Sequence, residues 1–147
     1  MDLTGREYRK MSKKASPPSP IFGNCIKAFL FGGLICTMGQ LTTDLAIEWG
    51  MTQQDARLAA SVFLILLSVI LTGFAVYDDI AKHAGAGTLV PITGFANSIV
   101  ASAIEFKSEG FIMGLGAKMF VIAGPVLVYG ITSSILYGVV LYIVGLF

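Results

Sequence analysis

Apolar residues come in long blocks along this chain, and the polar residues between the blocks read as helix ends and short connections. The first block, residues 21–41, follows Ser19-Pro20, a pair suited to a helix start because proline is tolerated at the first helical position. Lys27 lies one to two turns inside and can reach the headgroups along its own stem. Ala28, Gly32 and Cys36 recur every four residues, a small-residue face that allows another helix to approach closely. Gln40, Asp44 and Glu48 continue the far end as a polar, acidic stripe, and Trp49 is a natural interfacial anchor. Thr52 with Asp55 three residues on resembles a capping box. It opens the second block, residues 57–77, with Ser61, Ser68 and Thr72 on one side and Phe63, Leu66 and Ile70 on the lipid side. Tyr77-Asp78-Asp79 closes that block, and a short loop through Lys82, His83, Gly85 and Gly87 follows.

The third block breaks the pattern. Residues 88–104, TLVPITGFANSIVASAI, read as membrane-embedded yet hold Pro91, Gly94, Asn97 and the hydroxyls of Thr88, Thr93, Ser98 and Ser102. Polar groups exposed to hydrocarbon cost several kcal/mol each, so they belong where they line water or pack inside protein. A solute pathway or a helix-packing site is therefore expected here. As helix, these 17 residues reach about 25 Å, short of a hydrocarbon core of about 30 Å. Glu105, Lys107, Glu109 and Gly110 come next, and then a largely apolar run of 37 residues from Phe111 onward, interrupted by Lys118 and Gly124-Pro125.

Two arrangements fit. In one, residues 88–104 cross the membrane and a long kinked last helix returns, giving four spans. In the other, residues 91–104 and 111–124 are half-depth helices of a re-entrant hairpin turned at Gly110, and residues 125–147 form a full span. The second uses each helix breaker and is preferred. It brings Glu105, Lys107 and Glu109 toward the bilayer centre, where ionisable groups are costly and usually functional. The expected fold is all-α and polytopic: a basic Pro/Ser-rich arm over residues 1–19, mobile or lying on the membrane surface, then a membrane domain over 20–147. Its spans cover about 21–41, 57–77 and 125–147, with a broken hairpin over 88–124. The last span carries a second close-packing ladder, Gly130, Ser134 and Gly138.

Composition narrows the class without changing this outline. The chain has 147 residues, is 55% hydrophobic and 13% charged, and has a mean hydropathy of +0.79. A soluble protein of that size has no means of hiding so much apolar surface. Net charge is +1, which gives no case for nucleic acid. Six of the ten basic residues (Arg6, Arg9, Lys10, Lys13, Lys14 and Lys27) sit in the arm or the start of the first span, which places the N-terminus in the cytoplasm. A signal peptide fits less well, because the basic region is long and proline-rich. Cys25 and Cys36 are eleven residues apart, about 16 Å of helical rise and beyond disulfide reach.

Catalytic constellations are missing from the sequence, and no enzyme, cofactor or metal site is expected. His83 has no ligand partner at helical spacing, and Asp78-Asp79 reads as a solvated helix end. Asn97 is the sharpest candidate, with Thr93 one turn before it: it either lines a pore or makes an inter-helix hydrogen bond. Ser98 is a weaker candidate for the same roles. Glu105 and Lys107 are either a solute-attracting pair or a neutralised loop. Half-helix N-termini near the bilayer centre carry partial positive charge.

Two stretches resemble a known family: NCIKAFLFGGLICTMGQL at residues 24–41 and GAGTLVPITGFANSIVASAIEFKSEGFIMGLGAKMF at residues 85–120. Their PITGFANS and EFKSEG elements are similar to those of the SpoVAC/SpoVAEB family of spore-forming Firmicutes, and the likeness covers nearly the whole chain. The long arm favours the AC branch. The resemblance implies a role in moving dipicolinic acid, as its calcium chelate, across the inner membrane of the forespore and spore, during sporulation and germination. It also implies other SpoVA proteins as partners, including a soluble SpoVAD-like subunit and a SpoVAEB-like membrane subunit. Some members are held to behave as tension-sensitive channels. A chain this small needs a homo- or hetero-oligomer to form a wide pore. The competing expectation is a non-conducting membrane scaffold that recruits a soluble partner.

Overall fold

The computed structural model describes residues 4–15 and 19–145, all helix, turn or short connection, with no strand among them. Pro17 and Pro18 of the arm and the last two residues of the final span lie outside the described residues. The protein is an all-α membrane protein with three helices long and apolar enough to cross a bilayer: Ile21–Glu48, Gln53–Gly73 and Phe111–Val144.

In chain order, α1 (Gly5–Ala15) is the arm helix, opened by Thr4, whose backbone N–H and hydroxyl both donate to the Glu7 carboxylate. The first span is α2 (Ile21–Glu48) and the second is α3 (Gln53–Gly73), which starts where Thr52 Oγ1 accepts the Asp55 N–H. Both expected starts, after Pro20 and after Thr52, are where the helices begin. The two spans run antiparallel: Leu64 packs at Gly39, Ala59 and Phe63 face Thr42 and Ala46, and Leu71 faces Leu34. Small residues make this close: Thr43 and Ala46 on α2, and Ala56, Ala60 and Ser68 on α3, are buried. Thr42 and Thr43 donate to carbonyls four residues back in their own helix, so no hydroxyl is stranded there.

At the end of α3 the chain turns sharply at Ala75, whose φ of 58° is the one left-handed value among described non-glycine residues. The amphipathic α4 (Val76–Ala84) then crosses the end of the bundle at which α2 begins, here termed the arm end. It brings Lys82–Ala86 beside Asn24, Cys25 and Ala28. Next come α5 (Ala86–Leu89) and α6 (Ile92–Glu105), then a 3₁₀ turn at Lys107–Glu109. A short π-helical stretch, Phe111–Gly116, leads into α7 (Ala117–Val144).

One expected break is not there. Residues 111–124 and 125–147 were expected as separate helices, but α7 runs on through Pro125. Proline deletes one backbone donor, and a helix in apolar surroundings keeps its remaining bonds because it has no other partner for them. From Pro125 to Val144 every residue of α7 is exposed in the single chain.

Candidate functional site

The polar third block folds as a doubled-back segment. Pro91, with φ −64° and ψ 163°, cannot continue α5 and stands at the head of α6. Two glycines make the doubling possible. A Cβ on Gly94 would strike the Thr88 carbonyl and stand 2.6 Å from the Leu89 oxygen, so α5 and α6 close on each other only over glycine. A Cβ on Gly87 would strike the Ala28 carbonyl and fall 2.9 Å from Ala28 Cα, so α5 lies directly on the backbone of α2. On the α2 side of that crossing is Gly32, where a Cβ would stand 3.3 Å from the Gly87 oxygen.

Hydroxyl groups hold the segment in place. Ser68 Oγ donates to the Thr93 carbonyl at 2.6 Å. Thr72 Oγ1 lies 2.7 Å from the Ser68 carbonyl and 2.8 Å from Asn97 Oδ1, either of which takes its proton. The Tyr77 hydroxyl is 2.9 Å from the Thr88 carbonyl and 3.1 Å from Thr93 Oγ1. When its proton goes to the carbonyl, the Thr93 hydroxyl can return the second bond. Tyr77, Thr88, Thr93, Ser68 and Ser102 are buried, and no buried side-chain polar atom among the described residues lacks a partner.

These bonds also fix the direction of α6. Ser68 pairs with Thr93 and Thr72 with Asn97, both 25 residues on, so α3 and α6 run parallel and in step. Thr93, level with Ser68, therefore stands about 7 Å inside the end of α3, at 1.5 Å per residue. The tip of the doubled segment at Pro91 is deeper still, and α6 runs from there back to the arm end. Glu105 arrives beside Ala75 and Asp78. The sequence suggested a hairpin turned at Gly110, with Glu105, Lys107 and Glu109 near the bilayer centre. The structure turns at Pro91 instead and brings those charges to the arm end, because the α3–α6 hydroxyl ladder admits only the parallel register.

Asn97 is half-buried and faces a cleft of about 290 Å³ bordered by Thr72, Asp78, Ala101 and Glu105. Thr93 and Gly94 are buried, Pro91 is half-buried, and the half-buried Ser98 donates to the carbonyl of Phe95. Glu105, Lys107 and Glu109 are exposed. Lys118 lies over the Phe106 ring, 4.3 Å from its centroid, tying α7 to the end of α6. The ion pairs among the described residues are those of Lys82, at 2.9 Å from Asp79 and 3.6 Å from Asp78. The Lys82 hydrogen bond and charge hold the Asp79 carboxyl below the usual carboxylate range.

Of the small residues, Cys36 is exposed, as are Gly130, Ser134 and Gly138; Ser134 donates to its own helix at Gly130. No group of three or more metal-ligating side chains occurs among the described residues. Tyr77 and Gly87 were missed as site residues. A tyrosine closing an apolar block needs a partner for its hydroxyl, and that was the available signal for Tyr77.

The family model described as "SpoVAC/SpoVAEB sporulation membrane protein" matches residues 24–140. Stage V sporulation protein AC of Bacillus subtilis (strain 168) is 42% identical over 134 residues, which cover 90% of this chain and 89% of that protein. No solved structure matches the chain.

Proposed function

Because this chain belongs to the SpoVAC/SpoVAEB family of sporulation membrane proteins, we propose that it is a channel subunit carrying dipicolinate with calcium across the inner membrane of the forespore and spore. In this reading the basic arm lies in the cytoplasm, the pore opens under membrane tension, and the chain works in an oligomer with other SpoVA proteins. A soluble SpoVAD-like subunit docks at the arm end, and a SpoVAEB-like chain shares the membrane. The observation that carries the proposal is the α5–α6 doubling, which leaves a helix N-terminus inside the depth of α3 and presents Asn97 to a cleft bordered by Asp78 and Glu105.

The cleft's carboxylates, Asp78 and Glu105, suit the calcium of the chelate, while Lys107 two residues on supplies the opposite charge for a dianion. Thr93, which is buried and bonded to Tyr77, serves the path by holding its wall and not by touching solute. The second reading is a scaffold that recruits a soluble partner, favoured by the same burial of hydroxyls between helices. Thiol labelling separates the two. In a background with Cys25 and Cys36 replaced by serine, a water-soluble thiol reagent labels Asn97→Cys when a conduit is open. In a scaffold that position stays unmodified with and without osmotic downshock, and that result would overturn the channel proposal.

A further inference from the structure

A second cleft lies on the other side of the hydroxyl ladder, between α2, α3 and α4, with a volume of about 310 Å³. Leu34 and Met38 of α2 and Leu67 and Leu71 of α3 wall it, and Tyr77 and Thr88 close the end nearest the doubled segment. Its lining presents carbon only. The hydroxyls that border it are turned away: Ser68 is committed to the Thr93 carbonyl and Tyr77 to Thr88 and Thr93.

From this geometry we propose that the cleft is a binding site for one acyl chain of a bilayer lipid. The lining, the volume and the position of the mouth select that occupant. With each liquid water taking about 30 Å³, the volume holds roughly ten groups of that size, yet the walls offer water no partner, and apolar cavities of this kind stay dry. Left empty, the lining would forfeit its dispersion contacts. An anionic solute finds no donor inside. A partner helix, about 10 Å across with its side chains, is too thick to enter, whereas a single hydrocarbon chain fits. Leu34 is 61% exposed at the mouth, so the cleft opens sideways from between two spans, where lipid hydrocarbon surrounds the protein. The bound chain then backs the Tyr77–Thr88 contact from the apolar side, so its departure removes a support from the tip at Pro91.

The site depends on the fold alone and is tested without any transport measurement. The intact chain is reconstituted in vesicles of phosphatidylglycerol bearing a diazirine on one acyl chain, irradiated, and its labelled residues are mapped by mass spectrometry. Label is expected on Met38, Leu67 and Leu71 as well as on the outward-facing Leu66. Filling the cleft by Ile35→Phe, or more fully by Leu67→Trp, is expected to abolish label at Met38 and Leu71 and to preserve it at Leu66. Absence of label from the cleft in the wild-type chain overturns the proposal whether or not either variant folds. So does unchanged cleft label in a filled variant that keeps its helical circular dichroism.

Discussion

Ser68 and Thr93 are joined across two helices by a 2.6 Å hydrogen bond from a side-chain hydroxyl to a main-chain carbonyl, both residues buried. That carbonyl belongs to the first turn of α6, so it lies well inside the helix bundle, away from solvent. Through this bond α3 dictates how deep the polar segment sits. The Tyr77 hydroxyl, reaching Thr88 and Thr93 from α4, holds the same tip from the other side.

Removing either donor is expected to loosen the tip without unfolding the spans. Ser68→Ala and Tyr77→Phe should each lower stability by about 0.6–2 kcal/mol, the range for polar contacts between membrane helices. The double variant should lose more than the sum, because both donors restrain the same turn. Unfolding of the purified chain in mixed detergent micelles, followed by circular dichroism, measures this. Unchanged midpoints in all three variants would show that the ladder contributes nothing.

The two close backbone approaches make a sharper prediction. Gly87→Ala and Gly94→Ala place a methyl group against main-chain atoms that have no room to yield. Each is expected to cost about 1–3 kcal/mol or more, enough to reduce the amount of folded chain in the membrane. Gly130→Ala, where a Cβ meets nothing within 4 Å, is the control and should be neutral or slightly stabilising in the isolated chain.

Ala75 offers the opposite sign. It holds a left-handed conformation, φ 58° and ψ 16°, immediately after the cap of α3. An L-residue there costs roughly 1–2 kcal/mol that glycine does not. Offset by the extra freedom of glycine in the unfolded chain, Ala75→Gly should still stabilise by about 0.5–1 kcal/mol. A lowered unfolding midpoint would mean that the turn is not held as described.

Much of this arrangement was legible in the chain. The apolar blocks marked long membrane helices but not their bounds, since the second ends at Gly73 before the turn at Ala75 and the last begins at Phe111. Pro91, Gly94 and Asn97 marked 88–104 as a segment that no lipid-facing helix would carry. Gly32, one of the spaced small residues of α2, meets Gly87. The direction of α6 was not legible. Pro91 and Gly110 punctuate the sequence in the same way whether the segment turns at one or the other. The choice is made by the register of Ser68 with Thr93 and Thr72 with Asn97, a relation between residues 25 apart. Pro125 misled for a related reason: proline marks a weak point in a helix, and only the surroundings decide whether the helix yields there.

That register leads to a topology prediction. With α6 parallel to α3, the turn Lys107–Glu109 lies on the same side as Asp78 and the start of α2, and α7 alone carries the chain across afterwards. Single cysteines at Asp79 and Glu109, in the background without native cysteines, should be modified by an impermeant reagent from one face. A cysteine at Gly145 should be modified from the opposite face. Labelling of positions 79 and 109 from opposite faces, with 145 on the face of 79, would mean that α6 crosses the membrane and that the parallel register is wrong.

Lys107 is where charge and transport meet in the proposed role. It is exposed, lies between Glu105 and Glu109 in the sequence, and follows by two residues the Glu105 that borders the cleft with Asp78. A chelate with carboxylates on one part and calcium on another is best received by both signs side by side, and Lys107 is the cation nearest in sequence to that cleft's Glu105. Lys107→Gln removes the charge and keeps most of the stem. It is expected to lower dipicolinate accumulation in developing spores on the order of tenfold, equivalent to ~1.4 kcal/mol at the rate-limiting step, while Lys107→Arg retains it. Immunoblotting of spore membranes checks that each variant is present in normal amount. Normal accumulation and release in Lys107→Gln would remove this residue from the path and shift the weight to the scaffold reading.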